Sequence, residues 1–189
     1  GVNPLRKSLG HDGLMMPPST MDGLNPVESY VDQNQQSEQL VLSMLEELGR
    51  FDGKSLVSMQ LENYWHPDFM WYGPAGIGTT RGISDFRKNH QGPFVFSFPD
   101  RVVDHKAAII KKGNYVSTGG WPHMHGTHLT GGWLGLPPSG LKLELRVIDI
   151  WRRENHLLKE NWVGIDIIHM CKQMGLDVFA MMKDAYHLS

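Results

Sequence analysis

The chain has 189 residues, with 18 Lys and Arg against 20 Asp and Glu, a formal net charge of −2. This length fits one domain with its own core, and the absence of a basic arm or stripe argues against a nucleic-acid partner. One cysteine, Cys171, excludes an internal disulfide framework, and no apolar run reaches the roughly 18 residues that a membrane span needs. Residues 1–4 do not resemble the start of a signal peptide, so we expect a cytoplasmic protein.

The first half of the chain is predicted to be mainly helical. Residues 1–24 mix proline and glycine without an apolar period, which predicts an irregular arm before a single domain, residues 25–189. Asn25-Pro26 is a helix-start signal, and helical apolar spacing continues to Leu48, with a polar stretch that is either an exposed turn or a break. A short helix, a strand and a helix ending before Pro93 follow, at residues 55–61, 68–72 and 82–90.

After Pro99 the pattern changes to β-branched or alternating segments between Gly, Pro and Asn turns. They predict strands at residues 101–111, 115–119, 123–130, 142–152 and 157–166. Two short helices, residues 167–174 and 178–186, end the chain. Helices followed by consecutive strands indicate an α+β fold with a largely antiparallel sheet.

The last two predicted strands carry three carboxylates. A two-residue turn at Glu154-Asn155 would pair Asp149 with Glu160, and alternation would put both on one apolar face with Asp166. Carboxylates in an apolar setting must be paired, hydrogen-bonded or protonated, and two that face each other raise one pKa. The pattern is therefore typical of a general acid/base site.

Each of these acids also has a structural interpretation. Asp166 precedes the next predicted helix and could be its N-cap. Glu160 could pair with a nearby His or Arg. A three-residue loop would shift the register and pair Asp149 with Lys159, although Asp149, centred in an apolar strand, is the hardest of the three to explain structurally.

Histidines and tryptophans supply further candidates for a site. His123 and His125 would share a strand face, as two metal ligands do, but neither an H-E-x-x-H helix nor a cysteine ligand accompanies them. We therefore expect no metal, and a polar pocket lining or proton transfer is the better interpretation of this cluster, which includes His128. The tryptophans suit an aromatic-lined cavity for a flat ligand: Trp65, Trp71, Trp121, Trp133, Trp151 and Trp162.

Several segments, in this order and spacing, resemble the SnoaL-like polyketide cyclases. The resemblance covers roughly residues 37–180. It rests on residues 68–76 (DFMWYGPAG), 81–86 (RGISDF), 126–128 (GTH), 131–140 (GGWLGLPPSG), 147–152 (VIDIWR), 160–166 (ENWVGID) and 173–175 (QMG).

The resemblance implies the nuclear transport factor two-like, or cystatin-like, α+β fold: a strongly bent antiparallel sheet that forms a cone closed by N-terminal helices. It implies a homodimer of bacterial secondary metabolism that binds a small hydrophobic molecule. It also implies intramolecular aldol closure of a polyketide methyl ester, without metal or cofactor. The family's catalytic aspartate matches Asp166, and Asp149 is more weakly similar to the oxyanion-binding Asp of the ketosteroid isomerases.

We accordingly expect Asp166 to be the acid/base, with Asp149, His128 or Glu160 donating to the developing oxyanion. Alternatives are hydration, isomerisation or hydrolysis of another small hydrophobic molecule, and a non-catalytic ligand-binding or dimerisation module. The residues expected to hold the substrate are Trp71, Tyr72, His125, Trp133 and Trp162.

Overall fold

The computed structural model describes residues 33–104, 108–131 and 133–187. The predicted arm, residues 1–24, and the helix start at Asn25 lie outside these residues. The α-helices are α1 Asn34–Leu48, α2 Gly82–Phe86, α3 Gly92–Ser97, α4 Ile167–Gln173 and α5 Val178–Tyr186. The strands are β1 Trp65–Tyr72, β2 Thr79–Arg81, β3 Val102–Val103, β4 Ile109–Lys112, β5 Tyr115–Thr127, β6 Lys142–Glu154 and β7 Leu157–Ile165.

All seven strands belong to one curled sheet, in the order β2-β1-β7-β6-β5-β3, with β4 also paired to β5. The pairs are antiparallel except β1 with β7, which run parallel. The sheet does not close into a barrel. The predicted α+β class with a bent, largely antiparallel sheet is therefore confirmed.

One end of a predicted helix is wrong. The helical backbone does not stop before Pro93 but continues from α2 through a π-helical turn, Arg87–Gln91, into α3. Pro93 lies in the first turn of α3, where a proline nitrogen costs no helical hydrogen bond. Two predicted strands, residues 115–119 and 123–130, likewise form the single strand β5, with a register shift inside it.

The concave side of the sheet is covered by α1. Met44 of α1 is fully buried in a cluster that contains Trp65 and Trp151 from the sheet. Polar bonds fix the start of the helix: Ser37 Oγ donates to the Gly113 carbonyl at 2.7 Å and accepts from Arg153 Nε at 2.9 Å. These contacts tie the start of α1 to the β4–β5 turn and to the end of β6. Within the described residues, no helix combines the length and apolar content that crossing a bilayer requires.

The register of the β6–β7 hairpin differs from both sequence-based alternatives. The turn lies one residue later than predicted, so Glu154 pairs with Leu157, and Asn155 adopts a positive φ of 55°. Asparagine tolerates this left-handed backbone better than most residues. One extra residue on β7, Lys159, then forms a β-bulge opposite the Arg152–Arg153 step. The bulge reverses which side chains of β7 face inward.

As a result, the predicted pairing of Asp149 with Glu160 is wrong. Asp149 lies opposite Val163, and Glu160 lies opposite Arg152. Paired residues in an antiparallel ladder share a face, so the two acids point to opposite sides of the sheet.

Candidate active site

A cavity of about 410 Å³ lies between the concave face of the sheet and the helices that cover it. Its walls are mainly apolar, and their larger side chains come from α1, β1, α3 and the central strands: Leu45, Trp65, Trp71, Phe94, Leu145, Trp151 and Val163. A volume of this size accommodates a small organic molecule.

Asp149 of β6 borders this cavity. Burial raises the pKa of its carboxyl group from 3.8 to about 7, since the charged form loses solvent. Asn161 Nδ2 donates to Asp149 Oδ1 at 3.2 Å, and this bond favours the ionised carboxylate and limits the rise in its pKa. The same Nδ2 also donates to the Ile150 carbonyl at 3.3 Å. The result is a carboxyl group that gains and loses a proton near neutral pH.

The inward face of β6 was predicted correctly, and that of β7 was not. Period-two alternation directs Val147, Asp149 and Trp151 into the cavity, as expected. On β7 the bulge turns Asn161 and Val163 inward instead of the even-numbered residues. Asn161 was therefore not anticipated as a site residue, although it forms the direct polar contact with Asp149.

The π-helical turn between α2 and α3 contributes two polar side chains to the wall, His90 and Gln91. The His90 ring stacks on Trp71 with centroids 4.0 Å apart, and burial lowers its pKa to about 3, so the imidazole is neutral at ordinary pH. Gln91 Nε2 points to the Met59 sulfur at 3.5 Å. Short π segments often occur at functional sites, but no sequence period signals them.

Arg101 and His123 lie on the wall formed by β3 and β5. Arg101 Nη2 donates to the Leu48 carbonyl at the end of α1, at 3.2 Å, and its guanidinium carbon lies 5.6 Å from the centre of the Phe51 ring. His123 is buried and belongs to the predicted polar cluster. Arg101 was missed because its position read as the first residue of a strand.

Asp166, the residue that the resemblance favours as acid/base, is not among the residues that line the cavity. Its Oδ1 accepts from the His169 backbone N–H at 2.9 Å, which makes Asp166 the N-cap of α4. Its Oδ2 lies 3.4 Å from Arg146 Nη1. The geometry therefore supports the interpretation of Asp166 as a helix cap.

Glu160 lies on the convex face and is fully buried there. It forms an ion pair with Arg152 and accepts a hydrogen bond from the Tyr72 hydroxyl at 3.1 Å. The Tyr72 ring stacks on Trp162 with centroids 5.3 Å apart. Trp71 lines the cavity and its strand neighbour Tyr72 faces away, and none of Tyr72, Glu160 and Trp162 lines the cavity.

The remaining predicted residues lie around a second core cluster. His128 Nδ1 accepts from the Ser139 backbone N–H at 3.3 Å, its ring stacks on Phe98, and burial lowers its pKa. Trp133 is buried beside Phe98, and neither His125, His128 nor Trp133 lines the cavity. In the part of the chain that the structure describes, no three His, Cys, Asp or Glu side chains cluster as metal ligands would.

The strongly curled, unclosed sheet with its covering helices matches the nuclear transport factor two-like fold. Residues 54–174 match the family model of the SnoaL-like polyketide cyclases, and the chain belongs to this family. A comparison with curated protein sequences gives no significant match.

Solved structures share the fold at low sequence identity. AclR from Streptomyces galilaeus, a proposed hydroxylase, has a TM-score of 0.57 at 21% identity, over 75% of this chain and 96% of its own. IdmH from Streptomyces antibioticus, a proposed polyketide cyclase, has a TM-score of 0.56 at 22% identity, over 75% and 99%. A proposed SnoaL-like polyketide cyclase from a Jannaschia species has a TM-score of 0.58 at 17% identity, over 77% and 97%.

Proposed function

We propose that the protein is a cofactor-independent enzyme of the polyketide cyclase type that performs acid/base chemistry on a small hydrophobic carbonyl compound. The observation that carries the proposal is Asp149: a carboxyl group with a pKa of about 7 on the wall of an apolar cavity. A general acid/base works best when its pKa is close to the working pH. Family membership supports the reaction class.

In the proposed reaction, the Asp149 carboxylate removes a proton from a carbon next to a carbonyl group. The resulting enolate carbon attacks a second carbonyl of the same molecule, forming the new carbon–carbon bond, and the alkoxide oxygen receives the proton back. N–H groups of His90 and Gln91 are available on the same cavity wall for the developing oxygen charge. Trp71 and Trp151 hold the apolar body and exclude water.

We assign the acid/base role to Asp149 and not to Asp166, which the family resemblance favours. Asp149 borders the cavity, whereas the Asp166 carboxylate is engaged by the α4 N-terminus and by Arg146.

The proposal is tested with 5-nitrobenzisoxazole, a small apolar carbon acid whose deprotonation opens its ring and gives a coloured phenolate. We expect the wild type to open it on the order of a hundredfold faster than Asp149→Asn, with a rate that rises with pH through about 7. The matched control is Asp166→Asn, which should retain the activity.

Equal rates for the wild type and Asp149→Asn would overturn the assignment. Loss of activity in Asp166→Asn alone would return the role to Asp166. Carbon–carbon bond formation is tested separately, by incubating polyketide carboxylic acids and their methyl esters with the enzyme. Aldol closure gives a product of unchanged mass and altered retention time.

We also propose the homodimer that the resemblance implies. Ile148 and Ile150 support it, because these side chains on the convex face of β6 leave 46% and 40% of their surface exposed. Native mass spectrometry is expected to give twice the chain mass, and a monomer at micromolar concentration would contradict the proposal.

A further inference from the structure

Arg101 is the only Lys or Arg among the described residues that line the cavity. A guanidinium group has five N–H donors, and the bond to the Leu48 carbonyl uses one of them. None of the ion pairs between described residues includes Arg101. The cavity wall therefore contains a cation with donor capacity to spare.

The adjacent acid is committed elsewhere. Asp100 accepts two hydrogen bonds from Thr127, one from the backbone N–H and one from the hydroxyl group, both at 2.7 Å. Gly126 lets β5 pass close to this corner, since a Cβ there would lie 3.1 Å from Arg101 Cα. The Arg101 N–H donates to the Phe98 carbonyl at 3.2 Å. These contacts fix the backbone of Arg101 while they direct the Asp100 carboxylate to Thr127.

The acid inside the cavity does not fully balance this charge either. The carboxyl group of Asp149 is partly protonated near neutral pH, because burial raises its pKa to about 7. Burial also lowers the pKa of Arg101, which reflects the cost of its charge in this setting. A partly desolvated cation gains most from a ligand that brings its own negative charge.

The geometry points to a substrate that carries a carboxylate, held by Arg101, on an apolar body that fills the rest of the cavity. Guanidinium binds carboxylate through two parallel charge-assisted bonds, a geometry that a neutral ester cannot match. The inference rests on the proposed function and deepens it, because it selects free acids over methyl esters. Asp149 remains available for the reacting carbon.

The test uses the full chain and an unreactive matched pair of ligands, 1-naphthoate and its methyl ester. Each competes with the neutral fluorescent reporter N-phenyl-1-naphthylamine for the cavity. We expect the wild type to bind the acid at least roughly tenfold more tightly than the ester, as a paired charge implies. Arg101→Met should remove this preference, and Arg101→Lys should retain part of it.

Equal displacement by acid and ester in the wild type overturns the inference, whatever the variants do. The inference is also overturned if Arg101→Met still binds the reporter and keeps the preference for the acid over the ester. Asp149→Asn should keep the preference for the acid. Since these ligands do not react, a failure of the proposed catalysis leaves this result intact, and the two failures are distinguishable.

Discussion

Asn161 Nδ2 donates a hydrogen bond to Asp149 Oδ1 across 3.2 Å, and both side chains border the same cavity from neighbouring strands. The bond stabilises the ionised carboxylate, whereas burial stabilises the protonated one. The balance between the two sets the pH at which Asp149 exchanges a proton. Asn161 therefore acts as a positioning residue for the proposed base.

Asn161→Leu removes this hydrogen bond at similar volume. The pKa of Asp149 should rise further, because burial is then opposed by one contact fewer. The pH–rate profile with 5-nitrobenzisoxazole should shift to higher pH, with little change in the rate at its upper plateau. Circular dichroism checks that the variant is folded. A pH–rate profile whose midpoint falls or stays constant contradicts the prediction.

Asp149→Asn should increase stability at neutral and alkaline pH. The folded-state pKa of Asp149 is above the ordinary value, so its stabilising contribution is complete below about pH 4 and is lost as the pH rises to about 7. The neutral amide avoids this loss, and we expect a gain of about 2–4 kcal/mol at pH 8. Urea unfolding at pH 4 and pH 8 measures the difference in unfolding free energy between the variant and the wild type. A difference that is equal at both pH values contradicts the prediction.

His90→Phe should have the opposite pH dependence. The folded-state pKa of His90 is lowered from 6.5 to about 3, so stability falls as the pH decreases through this range. Phenylalanine stacks in the same place on Trp71 without a proton to bind, which should add about 2 kcal/mol at pH 4.5 relative to the difference at pH 8. Urea unfolding at the two values gives the result, and Asn89→Ala, at an exposed neighbour, is the control.

Glu160→Gln should destabilise the fold without a direct effect on the proposed chemistry. It leaves the buried Arg152 with only the half-exposed Glu154, 3.2 Å away, as a charge partner, at a cost of up to about 3–5 kcal/mol. Combining it with Arg152→Met should cost less than the sum of the single changes, as measured by a urea double-mutant cycle. Losses of unfolding free energy that add up would contradict an interaction between Glu160 and Arg152.

Asp166→Ala should lose the helix cap of α4, at a cost of about 1 kcal/mol, whereas Asp166→Asn should preserve the cap. Urea unfolding of both variants measures the difference. The comparison separates capping from catalysis, because a purely structural Asp166 predicts normal turnover in the folded Asn variant. Equal stability of the two variants would contradict the cap.

Much of the fold could be predicted because its cause is local and periodic. The apolar spacing up to Leu48 in α1 and the alternation of β6 follow from one buried face each, and both match the structure. The polar stretch before Leu40, expected to be a turn or a break, is instead helical from Asn34. Asp149 was anticipated for the same reason: it lies in the centre of an apolar alternation and was the hardest of the three acids to explain structurally.

The remainder of the site depends on irregularities that no period reveals. The bulge at Lys159 reversed the expected face of β7, which replaced Glu160 by Asn161 inside the cavity. The π-helical turn brought His90 to the wall, and proline punctuation had predicted only the end of a helix there. Arg101 acquires its position from a corner packed against β5, a contact distant in sequence.

The bulge has a consequence for how related sequences are compared. Leu158 lies before it and Asn161 after it, both on the concave side, so a relative that lacks one residue at Lys159 keeps the same inward side chains in a regular strand. A one-residue gap between Asn161 and Ile165 exchanges inward for outward positions beyond the gap. Loss of one residue at Lys159 therefore leaves the inward side chains of β7 unchanged, whereas loss of one residue after Asn161 changes them.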